Sequence, residues 1–240
     1  MIEVYNFDRE PDFLAGEVIL FDKPKDWSSF DVVNKIRYLI SDFLKIKKIK
    51  VGHAGTLDPL ATGLLILCTG KSTKLIEELQ EGEKIYNAIF QLGATTPSYD
   101  LETEIDQSFD YSHITENQIV ETINSFLGES MQMPPEYSAI KIKGKRAYEI
   151  KRKGREPKLV HKPINISEIK INSISLPFIN LTITCSKGTY IRSIANDFGK
   201  RLDNGAFLYY LRRLKSGQFD VKNAVEIEFF ENFLKKMKQN

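Results

Sequence analysis

The stretch Gly52-His53-Ala54-Gly55-Thr56-Leu57-Asp58-Pro59-Leu60-Ala61-Thr62-Gly63 constrains this chain more than any other. It brings three glycines, one histidine and one carboxylate to the edge of an apolar run, Leu64-Leu65-Ile66-Leu67-Cys68. A glycine-rich loop lets its backbone approach a ligand closely. The run behind it reads as a buried strand that anchors the loop. Asp58 is the single acid of the stretch, so any chemistry here works with one carboxylate.

A chain of 240 residues allows one large domain, or one domain with a small appendage, and a core that needs no covalent staples. Its two cysteines, Cys68 and Cys185, lie in apolar strand-like segments and read as buried thiols rather than a disulfide framework or zinc site. The N-terminus shows no signal-peptide pattern. No apolar run approaches the ~20 residues of a membrane span, so the expected compartment is the cytoplasm.

The net charge is only +2, but it is unevenly spread. Residues 100–129 carry eight acids and no Lys or Arg, whereas residues 141–162 carry ten Lys or Arg against Glu149 and Glu156. Such a basic segment suits a polyanion such as nucleic acid. A solvated lysine-rich loop would carry the same charge.

Glu17 to Phe21 reads as a strand ended by Asp22-Lys23-Pro24. Ser28 or Ser29 can cap a helix running to about Leu44, with Val32, Val33, Ile36, Leu39, Ile40 and Phe43 at helical spacing. Lys45 to Lys50 reads as a short basic strand or turn, Ser72 to Gln80 as a short helix and Lys84 to Leu92 as a strand. A helix over Glu116–Leu127 is capped by Thr115 and stopped by Gly128. After Pro134-Pro135 the basic segment reads as a long flexible excursion with fragments of strand and helix. Strands follow at Ile164–Ile174 and Ile179–Cys185, then a helix at Ile191–Leu202 and a strand at Leu208–Leu214. The last residues, Lys235 to Asn240, read as a frayed tail. Strands and helices mix without regular βαβ alternation, which argues an α+β fold.

Thr69-Gly70-Lys71-Ser72-Thr73 mimics a phosphate-binding P-loop. The full motif needs a glycine where Leu65 stands, inside the apolar run, so Ser72 reads more simply as a helix cap.

Several motifs together resemble the bacterial tRNA pseudouridine-55 synthase family (TruB). They are the 52–63 stretch, Asp22-Lys23-Pro24 with Ser28-Ser29, and Tyr86 on its strand. Next come Pro134-Pro135 with Tyr137-Ser138-Ala139-Ile140-Lys141, and Gly144-Lys145-Arg146-Ala147-Tyr148-Glu149. Cys185-Ser186-Lys187-Gly188-Thr189-Tyr190-Ile191-Arg192-Ser193 and Leu211-Arg212-Arg213-Leu214 complete the set. The resemblance runs from about residue 16 to 220.

It implies a pseudouridine synthase fold: a mixed, mainly antiparallel central sheet flanked by helices, with an RNA-gripping insertion at about 134–163. The catalytic domain would span 1–225. Residues 226–240 would be a C-terminal tail, without the PUA domain that many members carry. The implied reaction turns uridine 55 of the tRNA T loop into pseudouridine on a flipped-out base. Asp58 would be its catalytic carboxylate and Arg192 the partner of that carboxylate. Tyr86 and Tyr190 would be pocket tyrosines, with Tyr86 near the proton that leaves C5. Leu211 would line the uracil pocket, and His53 would fill space left in the RNA. Lys23 and Pro24 would support the loop. Lys141, Lys143, Lys145, Arg146, Lys151, Arg152, Lys153 and Arg155 would meet RNA phosphates. An isomerisation at one sugar carbon calls for no cofactor or metal. The implied partner is the T arm of tRNA, bound by a monomer with no obligatory protein partner and no membrane. Two alternatives are a non-catalytic tRNA-binding or folding module, and a guide-RNA-dependent relative.

Overall fold

The computed structural model describes residues 2–142 and 144–239. In chain order the first half forms β1 (Val18–Lys23), α1 (Ser29–Phe43), β2 (Val51–Ala54), β3 (Thr62–Thr69), a 3₁₀ stretch Gly70–Leu75 running into α2 (Ile76–Leu79), β4 (Lys84–Leu92), β5 (Ala94–Thr95) and β6 (Gln107–Ser108). Then come α3 (Glu116–Asn124), β7 (Gly128–Gln132), β8 (Lys141–Ile142), β9 (Lys145–Arg146), α4 (Ala147–Arg152), β10 (Lys162–Ser175) and β11 (Phe178–Cys185). Last are α5 (Ile191–Arg201), β12 (Ala206–Ser216), β13 (Phe219–Asp220) and α6 (Ile227–Met237). The chain divides into two compact units, Met1–Ile85 with Arg212–Asn240, and Tyr86–Leu211.

In the first unit β1 lies antiparallel on one edge of β3, from Val18 opposite Cys68 to Lys23 opposite Gly63. On the other edge β2 pairs antiparallel with the end of β3, and β12 runs parallel at Thr62 and Gly63. Both faces are covered, which explains the unbroken apolar run of β3. Ile19, Phe21, Leu65 and Leu67 face α1 and α6, where Val32, Val33, Ile36, Ile40, Phe230 and Leu234 meet them. Val18, Leu20, Leu64, Ile66 and Cys68 pack against Leu79 and Phe219. A capping box starts α1: the Ser28 hydroxyl accepts from Asp31 N, and the Asp31 carboxylate accepts from Ser28 N.

In the second unit the strands run in the order β4, β11, β10, β7. β10 pairs antiparallel with β11 and with β7. Ile119 and Ile123 of α3, Ile194 and Phe198 of α5, and Phe90, Leu181 and Ile183 of the strands are buried. The α+β class and the mainly antiparallel sheet agree with the sequence reading.

Four local expectations differ. The glycine-rich stretch is not loop throughout, because Val51–Ala54 pairs with β3 as a strand. Ser72 caps nothing: the 3₁₀ turn begins at Gly70, its cap position is Thr69, and Ser72 lies inside the turn. α3 ends at Asn124 instead of Leu127, since Phe126 N and Leu127 N bond back three residues, to Ile123 O and Asn124 O, and tighten the last turn. The supposed tail from residue 226 contains α6, whose Phe230 and Leu234 are buried.

The connection from β2 to β3, which carries Asp58, is pinned by three side chains. Ser29 Oγ accepts from Leu57 N at 2.8 Å and donates to Leu57 O at 3.0 Å. The Arg213 guanidinium donates to Leu64 O at 2.8 Å and Gly55 O at 3.0 Å. The Lys23 ammonium, fully buried, donates to Pro24 O, Trp27 O and Pro59 O. Burial pulls the Lys23 pKa from 10.5 down to about 8, and the negative charge of Asp58 opposes that fall.

Phe230 sits edge-on to Phe21 at 5.4 Å and Phe13 at 6.0 Å. Phe230→Ala is expected to cost about 3–5 kcal/mol, read as a lower denaturant midpoint at unchanged m; an unchanged midpoint would mean that α6 is a loose tail. For Lys23, the unfolded chain holds more protons than the folded one between pH 8 and 10.5. Stability from this group therefore rises with pH across that window. Wild type should gain about 1–3 kcal/mol relative to Lys23→Met between pH 7.5 and 10.5. A pH-independent difference between the two proteins would reject the depressed ammonium.

Candidate active site

In the first unit, Asp58 lies midway along the β2–β3 connection and is half-buried, while Thr56 and Pro59 beside it are exposed. Ala61 N donates to Asp58 O at 3.1 Å, so the acid sits in a turn. Gly63 (φ +99°) closes the connection, and a Cβ there would stand 2.3 Å from Arg213 O. Only glycine allows β12 to come this near. His53 lies on β2 opposite Leu67. Arg212, next to Arg213, holds both carboxylate oxygens of Asp22.

The second unit holds Tyr86, Tyr190, Arg192 and Leu211. Arg192 is the second residue of α5 and is 2% exposed. Its guanidinium donates to Ser98 O and to Tyr137 O, each at 3.1 Å, and its Nε stands 3.5 Å from the Asp100 carboxylate. Asp100, also buried, accepts from Ser98 Oγ at 2.6 Å and from Glu102 N at 2.9 Å. A guanidinium fixed from three directions presents a positive charge with little freedom to reorganise. Tyr190 precedes α5, and Gln132 clamps its backbone: Tyr190 N donates to Gln132 Oε1 at 2.8 Å and Gln132 Nε2 to Tyr190 O at 3.0 Å. Ser193 Oγ donates to Met133 O at 2.9 Å, so the first turn of α5 is tied to the start of the Pro134-Pro135 segment. Tyr86 and Leu211 lie on β4 and β12, each 8% exposed.

The sequence-predicted residues thus fall on both units, with Asp58 and His53 on one and the other four on the second. Sequence reasoning treated Asp100 only as one of a run of acids. Locally it makes an Asx turn, its carboxylate accepting from Glu102 N two residues on. Lys23 supports the loop as the resemblance implied, through Pro59 O, whereas the role of Arg213 was missed, because its partners are backbone carbonyls that no residue pattern encodes.

The basic excursion is more built than expected. β8 and β9 form a small hairpin, and α4 follows it directly. Lys151 pairs with Glu136, which holds the Lys151 pKa above its ordinary value. Arg152 pairs with Glu102 at 2.8 Å and lies over the Tyr148 ring. Lys141, Lys145, Arg146, Lys153 and Arg155 are exposed, and Lys143 lies outside the described residues. Among the described residues, no group of three or more His, Cys, Asp or Glu could hold a metal ion, and no helix is long and apolar enough to cross a membrane.

Comparison with known proteins points one way. The family model described as "TruB family pseudouridylate synthase (N terminal domain)" matches residues 42–191. A protein of Flavobacterium johnsoniae named tRNA pseudouridine synthase B is 54% identical, over 93% of this chain and 98% of its own. One of the same name from Parabacteroides distasonis is 50% identical, over 93% and 95%. Among solved structures, a chain of a Cbf5-Nop10-Gar1 complex superposes with a TM-score of 0.71 at 25% identity, over 98% of this chain and 60% of that one. A family match over more than half the chain, and relatives this similar over nearly all of it, mean that the chain belongs to the TruB family of pseudouridylate synthases.

Proposed function

We propose that this synthase isomerises uridine 55 in the T loop of tRNA, with Asp58 as its catalytic carboxylate. The tRNA substrate is supported by relatives about half identical that are named tRNA pseudouridine synthase B. The observation that carries the choice of Asp58 is its loop. Asp58 is the only acid between Asp42 and Glu77. Its connection is held by Ser29, Lys23 and Arg213, far more fixing than a simple turn residue needs.

In the reaction the N1–C1′ bond breaks, the uracil turns, C5 bonds to C1′, and the C5 proton passes to water while N1 gains one. Atoms and electrons balance without a co-reactant. The target base leaves its stack to be reached. In this reading Tyr190 offers an aromatic face in place of lost stacking, and Leu211 offers an apolar wall. Arg192 is, in this reading, the arginine that serves the catalytic carboxylate. Its anchorage to Ser98, Tyr137 and Asp100 supports that role, because a charge already held in place needs no rearrangement at the moment of reaction. In this reading Tyr86 attends the proton that leaves C5.

Folded tRNA transcript tritiated at uridine C5 should release tritium to water without guide RNA or ATP. A transcript with cytidine at position 55 should release none; continued release would move the target elsewhere. Asp58→Asn should abolish release while tRNA affinity stays within a few-fold. Turnover retained by that variant would remove Asp58 from the chemistry.

A further inference from the structure

We propose that the exposed lysines of the turn between α1 and β2 (Lys45, Lys47, Lys48 and Lys50, with Lys71 beside them) form a contact surface for substrate-RNA phosphates, separate from the 134–163 insertion. The inference rests on the tRNA reading above.

The turn reads Lys-Ile-Lys-Lys-Ile-Lys. Ile49 is buried and Ile46 packs against the core of the first unit, so the two isoleucines anchor the segment while all four lysines are exposed. The stop of α1 shapes it. Lys45 N bonds to Asp42 O and Ile46 N to Ser41 O, a Schellman arrangement that puts Lys45 at φ +54°. Glycine would hold that conformation with less strain. The turn thus keeps a cation where the backbone favours glycine. The helix macrodipole accounts for one cation at this end, but its effect fades within a turn, and three more lysines follow. Gly70 N donates to Lys50 O at 2.9 Å, which brings exposed Lys71 alongside.

No acid lies between Asp42 and Asp58 in the chain, and Asp42 is held by Lys238 at 2.6 Å. Among the described residues, none of the ion pairs uses these five lysines. In the insertion, by contrast, Lys151 and Arg152 are already engaged by acids. The isoleucines turn inward and leave no apolar wedge for a lipid surface, so a phosphate backbone fits better. Asp58 follows Lys50 by eight positions. That length spans at most about 28 Å, and an RNA strand carries a phosphate at every nucleotide. An RNA with its uridine at Asp58 therefore has flanking phosphates within reach of the turn.

The test compares wild type with the quadruple variant Lys45→Gln, Lys47→Gln, Lys48→Gln, Lys50→Gln, and with Lys45→Gly alone. The readouts are tRNA affinity across a salt series, thermal midpoint, and binding to phosphatidylserine vesicles. The quadruple variant should bind tRNA about tenfold or more weakly near 0.15 M salt, and its log–log salt slope should fall by about 3. Lys45→Gly should raise the thermal midpoint by about 2 °C while lowering the slope by about 0.8, so lost binding cannot be put down to lost folding. With wild type active in tritium release, unchanged slopes in both variants overturn the surface and leave the function standing. Wild type inactive on tRNA overturns both. Vesicle binding lost in the quadruple variant, with tRNA binding intact, assigns the turn to lipid and also overturns the proposal.

Discussion

The buried Arg213 guanidinium is the contact on which the Asp58 loop rests. Removing such a charge from water costs several kcal/mol unless its donors are met. Here they are met by Leu64 O, within β3, and by Gly55 O, one residue past β2. One side chain therefore sets the distance between the two ends of the Asp58 connection. It can do so because β12 runs parallel to β3 at Gly63, close enough that any Cβ there would collide with Arg213 O. The glycine at 63 and the arginine at 213 solve one problem jointly: the glycine admits the strand, and the strand delivers the guanidinium.

The second unit uses the same device in another form. Arg192 gathers Ser98, Tyr137 and Asp100, which are distant in the chain, around the first turn of α5. The guanidinium fork suits this task, since its several donors have fixed directions and a lysine would offer only a point charge. In both units a buried arginine ties loops to regular elements through backbone carbonyls. The loops that bear the candidate site residues are thus held more firmly than surface connections usually are.

Much of the fold was legible wherever burial is periodic or a cap is spelled out. Ser28 with Asp31, the spacing from Val32 to Ile40, and the apolar run of β3 locate α1 and β3 within a residue or two. β2 and β7 escaped because Gly52-His53 and Glu129-Ser130-Met131 show neither alternation nor branched residues. Both become strands through neighbours that the local sequence does not reveal: β3 for one, β10 for the other. α6 was legible too, since Ile227, Phe230, Phe233, Leu234 and Met237 recur at helical spacing, a pattern that the reading of a tail ignores. At the candidate site, Asp58, Tyr86, Tyr190 and Arg192 were legible only as members of a motif set. Lys23 was legible in the same way, as a support of the loop; Asp100 and Arg213 were not, since their significance lies in three-dimensional contacts to carbonyls or to another charged residue.

Along the sequence, the acidic block at 100–129 and the basic block at 141–162 look like two surfaces of opposite sign. In the second unit they partly neutralise each other, Glu102 taking Arg152, and Glu136, which lies between the blocks, taking Lys151. The free positive charge of the insertion is therefore smaller than its composition states. Exposed bases such as Lys145, Arg146, Lys153 and Arg155 carry what remains beside Lys141. The four lysines at 45–50 are a smaller group in the sequence, yet their nearest acid in the chain is already held by Lys238. Attraction for a polyanion follows the charge left unpaired at the surface and not the charge written in the chain. By that measure the first unit, which also carries Asp58, is better equipped to hold RNA than a count of residues suggests.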